Sequence, residues 1–133
     1  MTKMIAVLNN QSPRVLSILR IMTGLLFMAH GTQKILNFPA PPEWEVATFS
    51  MPWFAGMMEL FGGALIVLGL FTRPVAFLLS GLMASAYFIA HAPQNFYPIL
   101  NAGDAAILYC FIFLYFVFSG PGRWSLDAKM GRE

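Results

Sequence analysis

Residues 57–71 read Met57-Met58-Glu59-Leu60-Phe61-Gly62-Gly63-Ala64-Leu65-Ile66-Val67-Leu68-Gly69-Leu70-Phe71, a single carboxylate in an unbroken run of apolar residues and glycines. A helix that packs on the surface of a soluble domain carries a polar face, and this run has none. It must be surrounded by protein or by lipid. With 133 residues the chain makes one domain, too small to enclose several such runs in protein alone. The composition extends this to the whole chain. It is 58% hydrophobic, 15% aromatic and 11% charged, against about 25% charged in an average soluble domain. Mean hydropathy is +0.66. The 8 basic and 6 acidic residues lie mostly at chain ends and segment ends. This composition excludes disorder, a fibrous repeat and a nucleic-acid-binding domain. The remaining class is an all-α, polytopic membrane protein in contact with the lipid bilayer.

A membrane helix needs about 20 mainly apolar residues. Four stretches qualify, at about 15–36, 52–71, 74–92 and 102–119, and they predict a four-transmembrane-helix bundle in a single domain over 1–133. Pro52 and Pro74 sit where a first helical turn tolerates proline. Pro39, Pro41, Pro42, Pro93 and Pro98 mark loops, and Pro121-Gly122 closes the last span. A cleaved signal peptide is not expected. The first stretch is too long, contains Arg20 and His30, and lacks a small-residue cleavage site. With four spans, Lys3, Arg14, Arg73, Arg123, Lys129 and Arg132 share one side, and Lys34 alone marks the other. The positive-inside rule then puts both termini in the cytoplasm. Trp44, Trp53, Phe96 and Tyr97 fall at the outer boundary and Trp124 at the inner one. The lone Cys110 allows no internal disulfide and reads as a packing residue.

Ionisable residues within a span are costly and point to function. They are Arg20, His30, Lys34, Glu59, His91 and Asp104. At ~1.5 Å rise per residue, His30 and Glu59 lie about 5–6 Å outward of the midpoints of their spans. Lys34, His91 and Asp104 lie about 11–12 Å outward by the same rise. All but Arg20 thus occupy the outer half, one or more from every span. His30 and Lys34 stand one turn apart on one face, which Arg20, Gly24 and Gly31 also share. Glu59, Gly62, Gly63, Ile66 and Leu70 form a second stripe, and Ser80, Ala84, Tyr87 and His91 a third. Small residues on such stripes let helices approach closely. A polar pocket at the outer end of the bundle is expected. Each residue also has a purely structural role open to it. Glu59 pairs with Lys34 or His30 and fixes helix register; Lys34 or Arg20 snorkels; His91 is interfacial; Asp104 charges a helix N-terminus.

His, carboxylate and Lys side chains in a low-dielectric bundle suit proton-coupled chemistry. A quinol needs acceptors at its ring oxygens and a route for protons, which His30 and Glu59 supply. A bis-histidine haem on His30 and His91 is disfavoured by their depth difference of about 6 Å. A metal on His30, Glu59, His91 and Asp104 lacks regular ligand spacing. No nucleophilic triad, phosphate loop or dinucleotide motif is present.

Three stretches carry a family resemblance. Arg20-Ile-Met-Thr-Gly-Leu-Leu-Phe-Met-Ala-His-Gly-Thr-Gln-Lys34 resembles the first helix of DoxX family membrane proteins. Glu59-Leu-Phe-Gly-Gly-Ala-Leu-Ile-Val-Leu-Gly-Leu-Phe-Thr-Arg73 resembles their second, and Gly120-Pro-Gly-Arg-Trp-Ser-Leu-Asp127 their C-terminal signature. The resemblance implies a bacterial or archaeal inner-membrane protein of four helices. It also implies a link to quinone-dependent redox or oxidative-stress complexes, with a protein partner holding the redox centres. His30 and Glu59 would be the acceptor and proton-handling groups. Lys34, His91, Asp104 and Arg20 would bind the substrate, Lys34 by tuning the pair and Arg20 from a lower part of the pocket. The alternatives are a non-catalytic anchor or assembly partner, then a small transporter or lipid-handling protein. A homo-oligomer is also compatible with the small-residue stripes.

Overall fold

The first helix, α1 (Thr2–Leu36), is 35 residues long and so about 52 Å from end to end. In the computed structural model, which describes residues 1–133, it is followed by α2 (Met51–Leu68), α3 (Thr72–Ala86), a π-helical turn at Tyr87–His91, the short α4 (Pro98–Asn101), α5 (Asp104–Ser119) and the short α6 (Leu126–Lys129). There is no strand. α1, α2, and α3 with its π turn are long and apolar enough to cross a membrane. α5 is equally apolar but has 16 residues, about 24 Å at helical rise.

The helical stretch of α1 begins well before Val15, where the apolar run starts. Residues 1–12 are all exposed. Pro13 is accommodated inside the helix, at a point where the carbonyl it leaves without a donor belongs to exposed Asn9. The other boundaries obey local chemistry. Asn37 ends α1 in the left-handed region. Ser50 caps α2, its Oγ accepting from Trp53 N at 3.4 Å, with Pro52 in the first turn. Gly69 ends α2 with φ 65°. Leu70 N there donates to Leu65 O at 3.0 Å and Gly69 N to Ile66 O at 3.1 Å, a Schellman closure that favours glycine at the left-handed position.

α1 and α2 pack as an antiparallel pair of unusual closeness. Gly24 lies against Val67, Gly63 against Met28, Gly31 against Leu60 and Gly56 against Lys34 and Ile35. A Cβ on Gly63 would stand 2.8 Å from Met28 Cβ, and one on Gly24 2.9 Å from Val67 N. Glycines seven apart on both helices therefore place backbone on backbone. α3 and α5 form the second close pair, tied where Ser80 Oγ donates to Cys110 O at 2.8 Å. Between the two pairs lies a small core of Phe27, Ile66, Ala76, Leu79, Met83, Ala106, Phe113 and Phe116. Phe27 meets Phe113 edge-on at 4.9 Å.

Most large apolar side chains point away from this core. Phe77 is 64% exposed and Phe118 76%, with Leu78, Phe88 and Phe111 comparably bare. Apolar surface on this scale is not left in water by a monomeric soluble protein; hydrocarbon is its natural surrounding.

The end of the bundle at Leu68 and Ser119 is closed by the C-terminal segment. Arg20 is fully buried and donates from Nε to Ile66 O at 2.9 Å, from Nη2 to Val67 O at 3.4 Å and Trp124 O at 2.7 Å, and from Nη1 to Pro121 O. Ile66 and Val67 carry carbonyls of the last turn of α2, where the helix dipole favours a cation. Trp124 N donates to Ser17 Oγ at 2.9 Å. Arg73 Nη1 donates to Val117 O and Phe118 O, 2.7 Å each, at the end of α5.

Candidate functional site

The opposite end, where α1 meets α2 beneath the loop 37–50, holds the buried ion pair of the protein. Lys34 Nζ lies 2.8 Å from Glu59 Oε1, with the lysine side chain 20% exposed and the glutamate 5%. The pair exists because of the glycines around it. Gly31 brings α2 against α1 at Leu60, and Gly56 lets the Lys34 Cβ approach as if to van der Waals contact. Glu59 Oε2 is buried with no hydrogen-bond partner. An ionised carboxylate has acceptor sites on both oxygens, and a buried one left unmet is a costly exception.

His30 stands one turn before Lys34 on α1. Its ring meets Tyr109 edge-on at 6.1 Å, and Tyr109 stacks on Phe113 at 6.0 Å. Both His30 and Tyr109 lie within electrostatic reach of Glu59. The His30 side is exposed and borders a shallow depression with Ala29, Gln33 and Pro39. Over Lys34, by contrast, the loop forms a cavity of about 510 Å³ walled by Asn37, Glu43, Trp44, Glu45 and Trp53 among others, within the usual ~300–1,000 Å³ of small-molecule sites.

The other residues singled out in the sequence fall elsewhere. His91 Nδ1 is 2.9 Å from Asn101 O, and its ring stacks on Tyr87 at 6.4 Å. The π turn puts it there: Ala92 N donates to Tyr87 O at 2.8 Å, five residues back. Asp104 opens α5 exposed to its surroundings, with Ala105 N donating to Oδ1 at 3.2 Å. No hydrogen bond joins His91 or Asp104 to Glu59. Arg20 sits at the far end with its donors on carbonyls. The structure thus brings Lys34 and Glu59 together with His30 beside them. His91 is held by Asn101 and Tyr87, Asp104 stands exposed at the start of α5, and Arg20 belongs to the cap. No three His, Cys, Asp or Glu side chains converge as a metal site would need.

Two polar residues matter more than their sequence context suggested. Asn101 is buried, donating from Nδ2 to Tyr87 Oη at 3.2 Å and Asn95 O at 2.9 Å and accepting from Gly103 N at 2.8 Å. It ties the π turn and the loop after it to the residue before α5; the only local signal is the turn-like Asn-Ala-Gly that follows Leu100. Asp127 is buried in the C-terminal segment and accepts from Phe71 N at 2.9 Å and Thr72 N at 2.8 Å. It caps α3 from 55 residues away. Burial pushes its carboxyl up, but the amides of Thr72 and Phe71 and the nearby Arg132 outweigh this and hold it below the usual carboxylate range.

The family model described as DoxX matches residues 15–92. An uncharacterized protein of Haemophilus influenzae is 44% identical over 131 residues, covering 95% of this chain and 98% of the relative. An uncharacterized membrane protein of Mycobacterium tuberculosis is 30% identical over 145 residues, covering 95% and 87%. The inner membrane protein YphA of Escherichia coli is 30% identical over 134 residues, covering 88% and 91%. No solved structure matches the chain.

Proposed function

The chain belongs to the DoxX family of membrane proteins, and from that membership and the geometry around Glu59 we propose that it is the membrane component of a quinone-linked redox system. In this reading residues 1–133 form one domain of the inner membrane of a bacterium or archaeon. α5 makes a fourth pass, and both termini lie in the cytoplasm. The distribution of basic residues supports this, since Lys34 is the only lysine or arginine at the loop 37–50 end. So does the inner-membrane name of the Escherichia coli relative.

The observation that carries the proposal is the unpartnered Oε2 of buried Glu59. It offers an acceptor to a hydroxyl or protonated oxygen inside the bundle, with the Lys34 ammonium on the other carboxylate oxygen. The aromatic rings of Phe27, Tyr109 and Phe113 pack on one another within the bundle, and Tyr109, the partly buried one, also meets His30. These residues fit a quinone head group in donor set and in polarity. Such a group supplies two-electron, two-proton chemistry when bound. Glu59 would accept a proton from the ring hydroxyl, Lys34 would steady the charge of the carboxylate, and His30 would pass the proton on. His91, Asp104 and Arg20 would act from further off, by holding α3, α5 and the cap in place.

A second reading is favoured by the ion pair itself. Lys34–Glu59 locks α1 to α2 in register, as a purely structural anchor for a partner complex would require. One experiment separates the two. Protein purified in mild detergent is extracted, and the extract is examined by ultraviolet–visible spectroscopy and mass spectrometry. The expected result is a stoichiometric quinone that is lost in Glu59→Gln while the folded protein persists. Phospholipid alone in the wild-type extract would reject the redox reading in favour of the anchor.

A further inference from the structure

Lys34 has two neighbours of different kind. On one side its ammonium holds Glu59 Oε1 at 2.8 Å. On the other it forms part of the wall of the 510 Å³ cavity under the loop 37–50. Its side chain keeps 20% of its exposure whereas that of Glu59 keeps 5%. The lysine therefore lies between the cavity and the buried carboxylate. Glu59 itself is buried, and backbone contact of Gly31 with Leu60, the next residue of α2, closes the interface of α1 and α2 beside it.

We propose that the cavity under the loop 37–50 is the aqueous entrance to Glu59, and that Lys34 is its gate. The inference rests on Glu59 being the working group of the site; it adds the side from which protons and polar solutes reach it. With Lys34 on Glu59 the carboxylate is shut off from the cavity. A swing of the flexible lysine stem into the cavity exposes the carboxylate, and Glu43 and Glu45 in the same wall provide carboxylates to receive the displaced ammonium. Lysine suits this task better than arginine: a compact charge on four rotatable carbons changes partners without breaking a bidentate fork. Trp44 and Trp53, the aromatic members of the wall, anchor the loop at the membrane boundary and keep the entrance on the aqueous side. Glu59 thus exchanges with the water on the loop side and not with the lipid around the helices.

The test uses two carbodiimides on the full-length protein in liposomes, with Glu59 modification read by peptide mass spectrometry and no substrate present. A water-soluble carbodiimide with an added amine should modify Glu59 slowly in the wild type and at least tenfold faster in Lys34→Met. Capping Glu45→Cys with a bulky maleimide should suppress that modification at least tenfold. Modification of Glu59 by the lipid-soluble carbodiimide alone would overturn the proposal. So would a rate unchanged by the maleimide cap, or an unreactive Glu59 in Lys34→Met while Glu43 reacts. A quinone found in the extract beside a negative labelling result would reject the entrance and leave the redox reading standing; the reverse pattern would reject the redox reading alone.

Discussion

At the scale of single residues, the Lys34–Glu59 pair is asymmetric. Removing one member of a buried pair costs about 3–5 kcal/mol because the other charge is left uncompensated. Lys34 retains access to its cavity and Glu59 does not. Lys34→Met should therefore destabilise the protein by about 2–3 kcal/mol, somewhat below that range because the cavity admits water. Glu59→Gln should cost less, since the freed ammonium can turn outward. Thermal unfolding midpoints in detergent will rank the two variants, and equal losses would show that both charges are equally enclosed. Asp127 makes a prediction of another kind. Its folded carboxyl titrates below the ordinary value, so its contribution to stability is fully present above the unfolded carboxylate value. That contribution is lost as pH falls through the depressed folded one. Hydrogen exchange at Phe71 and Thr72, corrected for intrinsic rates, should show protection that is constant from neutrality to about pH 4 and declines below it. In Asp127→Asn the protection should be low already at neutral pH and free of this dependence.

At the scale of elements, two glycines in helices separate close packing from mere helix composition. A methyl group on Gly31 would collide with the backbone of Leu60, which no rotamer can relieve. Gly31→Ala should cost about 1–3 kcal/mol by overpacking and push α1 from α2. Gly81 on α3 has nothing within 4 Å, so Gly81→Ala should gain up to about 1 kcal/mol of helix propensity. Chemical or thermal unfolding of the pair in one detergent checks both signs, and a stabilised Gly31→Ala would refute the close packing of α1 on α2. Gly24, Gly31 and Gly63 were legible in the sequence on stripes of small residues; Gly56 was not, and Gly62, placed on the same stripe as Gly63, faces Leu79 of α3 instead. The extents of the elements were less legible. α1 runs past Pro13 to Thr2 because a proline near an exposed end sacrifices a bond that water replaces. The π turn at Tyr87–His91 has no sequence signal, and its two end residues, Tyr87 and His91, both meet Asn101.

At the scale of the molecule, the C-terminal segment makes one unit of the helices. Arg20 binds carbonyls from α2 and from the segment after α5, and Asp127 joins that segment to the start of α3. Hydrogen bonds to a charged group contribute about 1.5–3 kcal/mol each. Arg20→Gln should therefore release the segment while the apolar helices remain folded. Trypsin should cut at Arg123 and Lys129 at least about tenfold faster than in the wild type, a factor that one lost charged bond already supplies, with helical circular dichroism preserved. An unchanged digestion rate would mean that Asp127 and the backbone contacts suffice to hold the cap.

The sequence by itself determined that the chain is helical and belongs in a membrane, because a hydrocarbon surrounding requires each apolar run to satisfy its own backbone bonds. It also marked the few ionisable residues as exceptions, since charge is costly there wherever it falls. Only the tertiary structure decided which of them meet. Lys34 and Glu59 are 25 residues apart, Arg20 and Trp124 are 104 apart, and a shared place in the outer half joins neither His91 nor Asp104 to Glu59 by a hydrogen bond. Depth follows from counting residues at a constant rise. Pairing depends on the rotation and register of one helix against another, which the glycine contacts and the C-terminal cap impose from far along the chain.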